Sequence, residues 1–115
     1  MTFIVQKVQR LEGTLKVPGD KSISHRALIL GAAARGRQVI EGMSDAADVA
    51  STAGALRAMG CFVETMPDGR TMVMAHSLRP DVRVDAGNSG TTARLLAGFA
   101  AGRAGRRLTK RYGVP

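Results

Sequence analysis

Tryptophan is absent from this 115-residue sequence, tyrosine occurs once and phenylalanine three times. A core without large aromatic blocks has to be assembled from Ala, Val, Leu, Ile and Met. A single cysteine, Cys61, excludes an internal disulfide framework and a cysteine-based zinc cluster, and reads as a buried or half-buried thiol of a reducing compartment. Two distant histidines, His25 and His76, do not make a metal site. His25 reads as a structural or supporting residue, and His76 stands in a loop-like context without an evident role. No apolar run reaches the length of a membrane span, and the N-terminal MTFIVQKVQR lacks a signal-peptide apolar core, so a cytoplasmic protein with no membrane partner is expected. Neither the Walker lysine motif nor GxGxxG is present.

Acidic residues are also scarce, and the net charge of +8 invites a nucleic-acid reading. Its location argues otherwise. Residues 103–115 carry five basic side chains and no acid, which leaves residues 1–102 with twelve basic and nine acidic groups, a net of +3. That body has no stacking aromatics interleaved with its charge. The expected organisation is a partial domain over 1–102 followed by a disordered basic tail over 103–115. A small basic protein that contacts nucleic acid or another acidic partner through this Arg-rich tail is the alternative reading.

Periodicity gives short strands alternating with helices. TFIVQK (2–7), GTLKVPG (13–19), RQVIEG (37–42) and VRVDAG (82–87) read as strands. CFVETM (61–66), the Pro67-Asp68-Gly69 turn and RTMVMA (70–75) read as a hairpin. A helix is expected from Ser22 or Ser24 up to Gly36, with Ile23, Ala27, Leu30 and Ala34 as its apolar stripe. A second, over 44–60, is capped by Ser44 or Asp45 and buries Val49, Thr52, Ala53 and Leu56. A third spans Gly90 to Ala101 with Thr92, Leu95, Leu96 and Phe99 on one side. The class is α/β or α+β, with helices covering sheet faces. A slide of 68 positions aligns Gly19 with Gly87, Arg26 with Arg94 and Leu28 with Leu96, suggesting a repeated supersecondary unit.

The chemistry-bearing stretch is PGDKSISHR (18–26), where a glycine, a lysine, two serines and an arginine precede an aliphatic run. The first N–H groups of a helix have no intrahelical partners and carry the positive end of its dipole, so anions bind there. Gly19 would let the backbone approach a ligand, Lys21 brings an ammonium, Ser22 and Ser24 cap or donate hydroxyls, and Arg26 offers a planar fork. AGNSGTTAR (86–94) repeats the design with Asn88, Gly90 and Thr91. Ordinary helix capping is the competing explanation for both.

PGDKSISHRALILGAAARG and the later DAGNSGTTARLLAGFAAG closely resemble the 5-enolpyruvylshikimate-3-phosphate synthases, in order and spacing, over roughly residues 5–109. UDP-N-acetylglucosamine enolpyruvyl transferases are less similar, having asparagine where this chain has Ser22. The resemblance implies a fold built from repeated βαβαββ units, of which this chain holds one and the start of a second. It implies transfer of the enolpyruvyl group from phosphoenolpyruvate to the 5-hydroxyl of shikimate 3-phosphate, in aromatic amino-acid biosynthesis, with no metal or organic cofactor. Lys21 then contacts both substrates, Ser22 and Arg26 hold the shikimate, Gly90 lines the phosphoenolpyruvate pocket, where glyphosate competes, and its neighbours Asn88 and Thr91 are substrate-binding too. Family members are much longer. After Leu108-Thr109 the sequence KRYGVP departs from the family pattern, as a shortened or frame-shifted reading frame would. The resemblance therefore also implies that the chain holds only part of the site, is inactive alone, and would need a complementary C-terminal fragment.

Overall fold

The computed structural model describes residues 1–75 and 83–102. His76 and the basic tail at 103–115 lie outside these residues. Six elements follow in the order α1 (Lys21–Ala33), β1 (Arg37–Ile40), α2 (Ala47–Ala58), β2 (Phe62–Thr65), β3 (Thr71–Met74) and α3 (Gly90–Ala101). The strands form one antiparallel sheet in the order β1-β3-β2.

The hairpin forms where its turn residues place it. Met66 donates its amide to the Arg70 carbonyl at 2.7 Å, and the Asp68 carboxylate accepts from the Arg70 amide at 3.0 Å. Gly69 sits at φ +88, the left-handed conformation that this turn needs and glycine adopts without strain. Register follows from the pleat: Val63 faces Val73, which faces Gln38, while Phe62 and Arg37 flank Met74 on the opposite side. Val63, Val73 and Thr71 are buried, so the helices cover that face.

One core joins the layers, with Leu28 from α1, Val49, Ala53 and Leu56 from α2, Val63 and Val73 from the sheet, and Leu96 and Phe99 from α3. Cys61 is buried within it and takes part in no disulfide. The buried faces expected for α2 and α3 are largely observed, except that Leu95 is only half-buried. The α1 stripe is not. Ile23 and Leu30 are 69% and 68% exposed, and the helix instead buries Ser24, His25, Leu28, Gly31 and Ala32. Close packing explains the rotation: a Cβ on Gly31 would lie 3.4 Å from Val73 Cβ, so the small-residue side of α1 seats on β3.

Three expected strands do not form among the described residues. Residues 1–19 form no regular element, and Phe3, Ile4 and Val5 are 80–91% exposed. Their apolar residues have no neighbouring strand in the described chain, and a strand without a ladder does not hold. Of the 82–87 segment, the described part holds a single bridge position at Asp85. The expected α/β class holds, and among the described residues the unit forms as αβαββ before α3.

Candidate functional site

α1 begins at Lys21 because Asp20, not Ser22 or Ser24, is its cap: the Asp20 carboxylate accepts from the Ile23 amide at 2.8 Å. Ser24 is turned inward. Its hydroxyl donates to the Asp20 carbonyl at 2.7 Å and accepts from the Ser44 amide at 2.9 Å, tying the helix start to the loop before α2. That loop also explains Gly19. A Cβ there would stand 2.0 Å from the Gly42 carbonyl oxygen, so the close approach that requires glycine is to the protein's own backbone rather than to a ligand.

The cap expected at Ser44 or Asp45 is replaced by Ala46, which makes no side-chain capping bond; Ser44 Oγ instead accepts from the Ala46 amide at 3.2 Å. In the first turn of α2 stands Asp48. Its carboxylate lies 3.0 Å from Lys21 Nζ. The Lys21 ammonium, reinforced by a backbone hydrogen bond, holds the Asp48 carboxyl below its usual range. The Asp48 carbonyl accepts from the Thr92 hydroxyl at 3.2 Å, one turn into α3. Ser89 caps that helix, its Oγ accepting from the Thr92 amide at 3.1 Å. The starts of α1, α2 and α3 therefore converge, bridged by Asp48.

Of the six residues singled out from sequence, Lys21 is the first residue of α1, half exposed and paired with Asp48. Ser22 follows it, exposed. Gly90 and Thr91 open α3, half-buried, and Asn88 is exposed immediately before the Ser89 cap. Arg26 departs from the group: its Nη1 donates back to the Ser22 carbonyl at 3.0 Å, and its side chain borders an apolar cavity of about 240 Å³ with Ile29, Leu30 and Leu95. The helix-start motifs at 21 and 90 echo each other with an offset of one residue from the 68-position slide, while both helices end 68 positions apart, at Ala33 and Ala101. A cavity of about 550 Å³ is lined by Lys16, Glu41, Gly42, Met43, Asp68, Gly69 and Arg70 and includes none of the six.

Behind the helix starts runs a buried polar line. His25 Nδ1 lies 2.7 Å from Thr52 Oγ1, Thr52 Oγ1 lies 2.7 Å from Thr92 Oγ1, and the Thr92 hydroxyl reaches Ser89 Oγ at 2.7 Å. Burial lowers the His25 pKa, the Lys21 and Arg26 charges push it the same way, and Asp48 opposes them. No cluster of three His, Cys, Asp or Glu side chains suited to a metal occurs among the described residues, and no helix there is long and apolar enough to cross a membrane.

The chain is similar to known proteins along most of its length. It is 44% identical over 112 residues to the 3-phosphoshikimate 1-carboxyvinyltransferase of Acaryochloris marina, covering 94% of this chain and 25% of that protein. It is 52% identical over 101 residues to the same-named protein of Synechococcus sp. WH7803, covering 84% and 23%. A solved structure of EPSP synthase from Acinetobacter baumannii superposes with a TM-score of 0.67 at 31% identity, over 85% of this chain and 23% of that one. The chain thus spans about a quarter of the length of the curated relatives it matches. None of these likenesses supports a basic nucleic-acid-binding protein. With the family model for EPSP synthase matching residues 5–109, the chain belongs to the EPSP synthase (3-phosphoshikimate 1-carboxyvinyltransferase) family.

Proposed function

We propose that the converging starts of α1 and α3 form one wall of a site for two anionic substrates, shikimate 3-phosphate and phosphoenolpyruvate, in an enolpyruvyl transferase. Convergence of three helix N-termini on Lys21, through Asp48, is the observation that carries this reading. Unpartnered N–H groups and a mobile ammonium suit phosphate and carboxylate oxygens. In the reaction, the substrate's 5-hydroxyl gives its proton to a base as its oxygen bonds to C2 of phosphoenolpyruvate, and the C2=C3 π electrons take up a proton at C3. The resulting tetrahedral adduct then breaks its C2–O bond to phosphate and loses a C3 proton, restoring the double bond and releasing inorganic phosphate.

Each residue takes a part set by its position. Lys21 exchanges the Asp48 carboxylate for substrate oxygens, neutralising charge on both substrates. Ser22, exposed in the first turn of α1, donates its hydroxyl to the shikimate moiety. Arg26 swings from the Ser22 carbonyl to the shikimate carboxylate. Gly90 and Thr91 present the first amides of α3 to phosphoenolpyruvate, with Asn88 at the rim. The Asp48 carboxylate holds Lys21 in place until substrate arrives.

The reading requires a partner, a complementary segment that supplies the rest of the substrate clamp and the groups that move protons. The chain alone is expected to release no phosphate from the two substrates above background. A fragment of a relative covering the remaining length is expected to raise that rate.

A titration of shikimate 3-phosphate into the ¹⁵N-labelled chain tests the wall itself. Shifts should concentrate at residues 21–26 and 88–92, with a Kd on the order of 1 mM for a partial site. Removing one charged hydrogen bond costs ~1.5–3 kcal/mol, so Lys21→Ala and Arg26→Ala should each weaken binding at least about tenfold. Shifts of equal size in wild type and both variants would reduce the motif to a helix cap.

A further inference from the structure

His25, Thr52, Thr92 and Ser89 are all buried, at 0–3% exposure, and they come from three different helices and a helix cap. Thr52 stands 27 positions from His25 and Thr92 a further 40 along the chain, so this line is a tertiary construction rather than local capping. It touches both motif-bearing helices, and His25 stands one helical turn after Lys21 on the same side of α1. Four polar side chains placed in an otherwise aliphatic core need an account, because each must be fully hydrogen-bonded to avoid a desolvation penalty.

Proton counting gives the line a direction. The Asp48 carbonyl can only accept, and Thr92 has one hydroxyl proton, given either to that carbonyl at 3.2 Å or to Ser89 Oγ at 2.7 Å. With the Thr92 proton spent in either way, Thr52 supplies the proton in its 2.7 Å contact with Thr92, whereas a Thr92 proton given to Thr52 would leave the contact to the Asp48 carbonyl without a donor and reverse the line. Its own proton is then spent, and His25 Nδ1 must donate to Thr52. The imidazole is thereby the Nδ1–H tautomer, with Nε2 a bare lone pair, and Nε2 is indeed the buried nitrogen that meets no partner among the described residues. The opposite polarity would leave a buried N–H at Nε2 with no acceptor, a rarer and costlier arrangement.

We infer that His25 is a positioning residue: through the directed relay His25→Thr52→Thr92 it fixes the start of α3, and with it Gly90 and Thr91, in register with Lys21 at the start of α1. The functional meaning of that register rests on the reading that both helix starts face one substrate site. The relay itself does not depend on it.

The test uses the chain without any ligand, so it separates failure of the relay from failure of the substrate reading. Long-range ¹H–¹⁵N correlation on the wild type near neutral pH reads the tautomer directly; Nδ1–H with unprotonated Nε2 is expected, and a dominant Nε2–H form overturns the proposal. Asparagine reproduces the Nδ1 donor position and glutamine the Nε2 position. His25→Asn should therefore leave the amide shifts of Ser89, Gly90, Thr91 and Thr92 close to wild type. His25→Gln and the near-isosteric Thr52→Val should displace them and reduce Thr92 amide exchange protection roughly tenfold, one hydrogen bond's worth. Equal behaviour of His25→Asn and His25→Gln would overturn it, as would a Thr52→Val protein with unmoved α3 amides.

Discussion

Adding one methyl group at Gly19 separates a backbone requirement from a ligand requirement. Gly19 enters α1 without a left-handed φ, so its need for glycine is steric alone. A Cβ would lie 2.0 Å from the Gly42 carbonyl oxygen, 2.8 Å from the Ser44 amide nitrogen and 3.0 Å from the Met43 carbonyl carbon. All three are backbone atoms, so no rotamer change relieves the clash. Either the 42–44 loop retreats and breaks the Ser44 amide to Ser24 hydroxyl bond, or residues 19–20 move and the Asp20 cap is lost. A hydrogen bond is worth ~0.5–1.5 kcal/mol, a cap ~0.5–2 and an overpacked contact ~1–3, so Gly19→Ala should lose about 1–3 kcal/mol. The same methyl at Gly54, exposed within α2 and with nothing within 4 Å, should gain ~0.5–1 kcal/mol from helix propensity. Urea unfolding gives both values from the shift in midpoint at constant slope, and hydrogen exchange at the Ser44 and Ile23 amides shows which relaxation occurs. A Gly19→Ala protein that unfolds at the wild-type midpoint with Ser44 still protected would refute the argument.

Three further outcomes are expected. Leu96→Ala empties a fully buried site between the three helices and should cost ~2–5 kcal/mol by denaturation; a loss under about 1 kcal/mol would mean that α3 is not part of the common core. Because burial lowers the His25 pKa below its ordinary 6.5, the unfolded chain takes the proton first. Stability is then full above about pH 6.5 and falls as pH drops below it, until the folded imidazole is protonated too; urea midpoints across that window should show the decline, and His25→Asn should flatten it. Lys21→Ala removes the group that holds the Asp48 carboxyl low, so its ¹³C titration should move upward toward the ordinary 3.8; an unmoved midpoint would mean that the ion pair does not form in solution.

The sequence by itself determined what depends on neighbours along the chain. The hairpin over 61–75 was legible because Pro67-Asp68-Gly69 prescribes its own turn, and the inward faces of α2 and α3 because helical period places Val49, Leu56, Leu96 and Phe99 together. The two helix-start motifs could be read as glycine, serine and cation clusters, and the family resemblance rests on those same residues. Tertiary structure decided what depends on contacts distant in sequence. Which side of α1 is buried followed from how closely its small residues let it approach Val73, not from its most apolar stripe. Strand formation at 2–7 and 13–19 failed because alternating apolar residues supply a face but not a ladder. Gly19 turned out to answer to Gly42, and Asp48 to Lys21, partners that no local pattern names. His25 is the extreme case: an isolated histidine in the sequence becomes the head of a proton-ordered line only when three helices bring Thr52 and Thr92 within hydrogen-bonding distance, because a hydrogen bond is set by ångströms in space and not by positions along the chain.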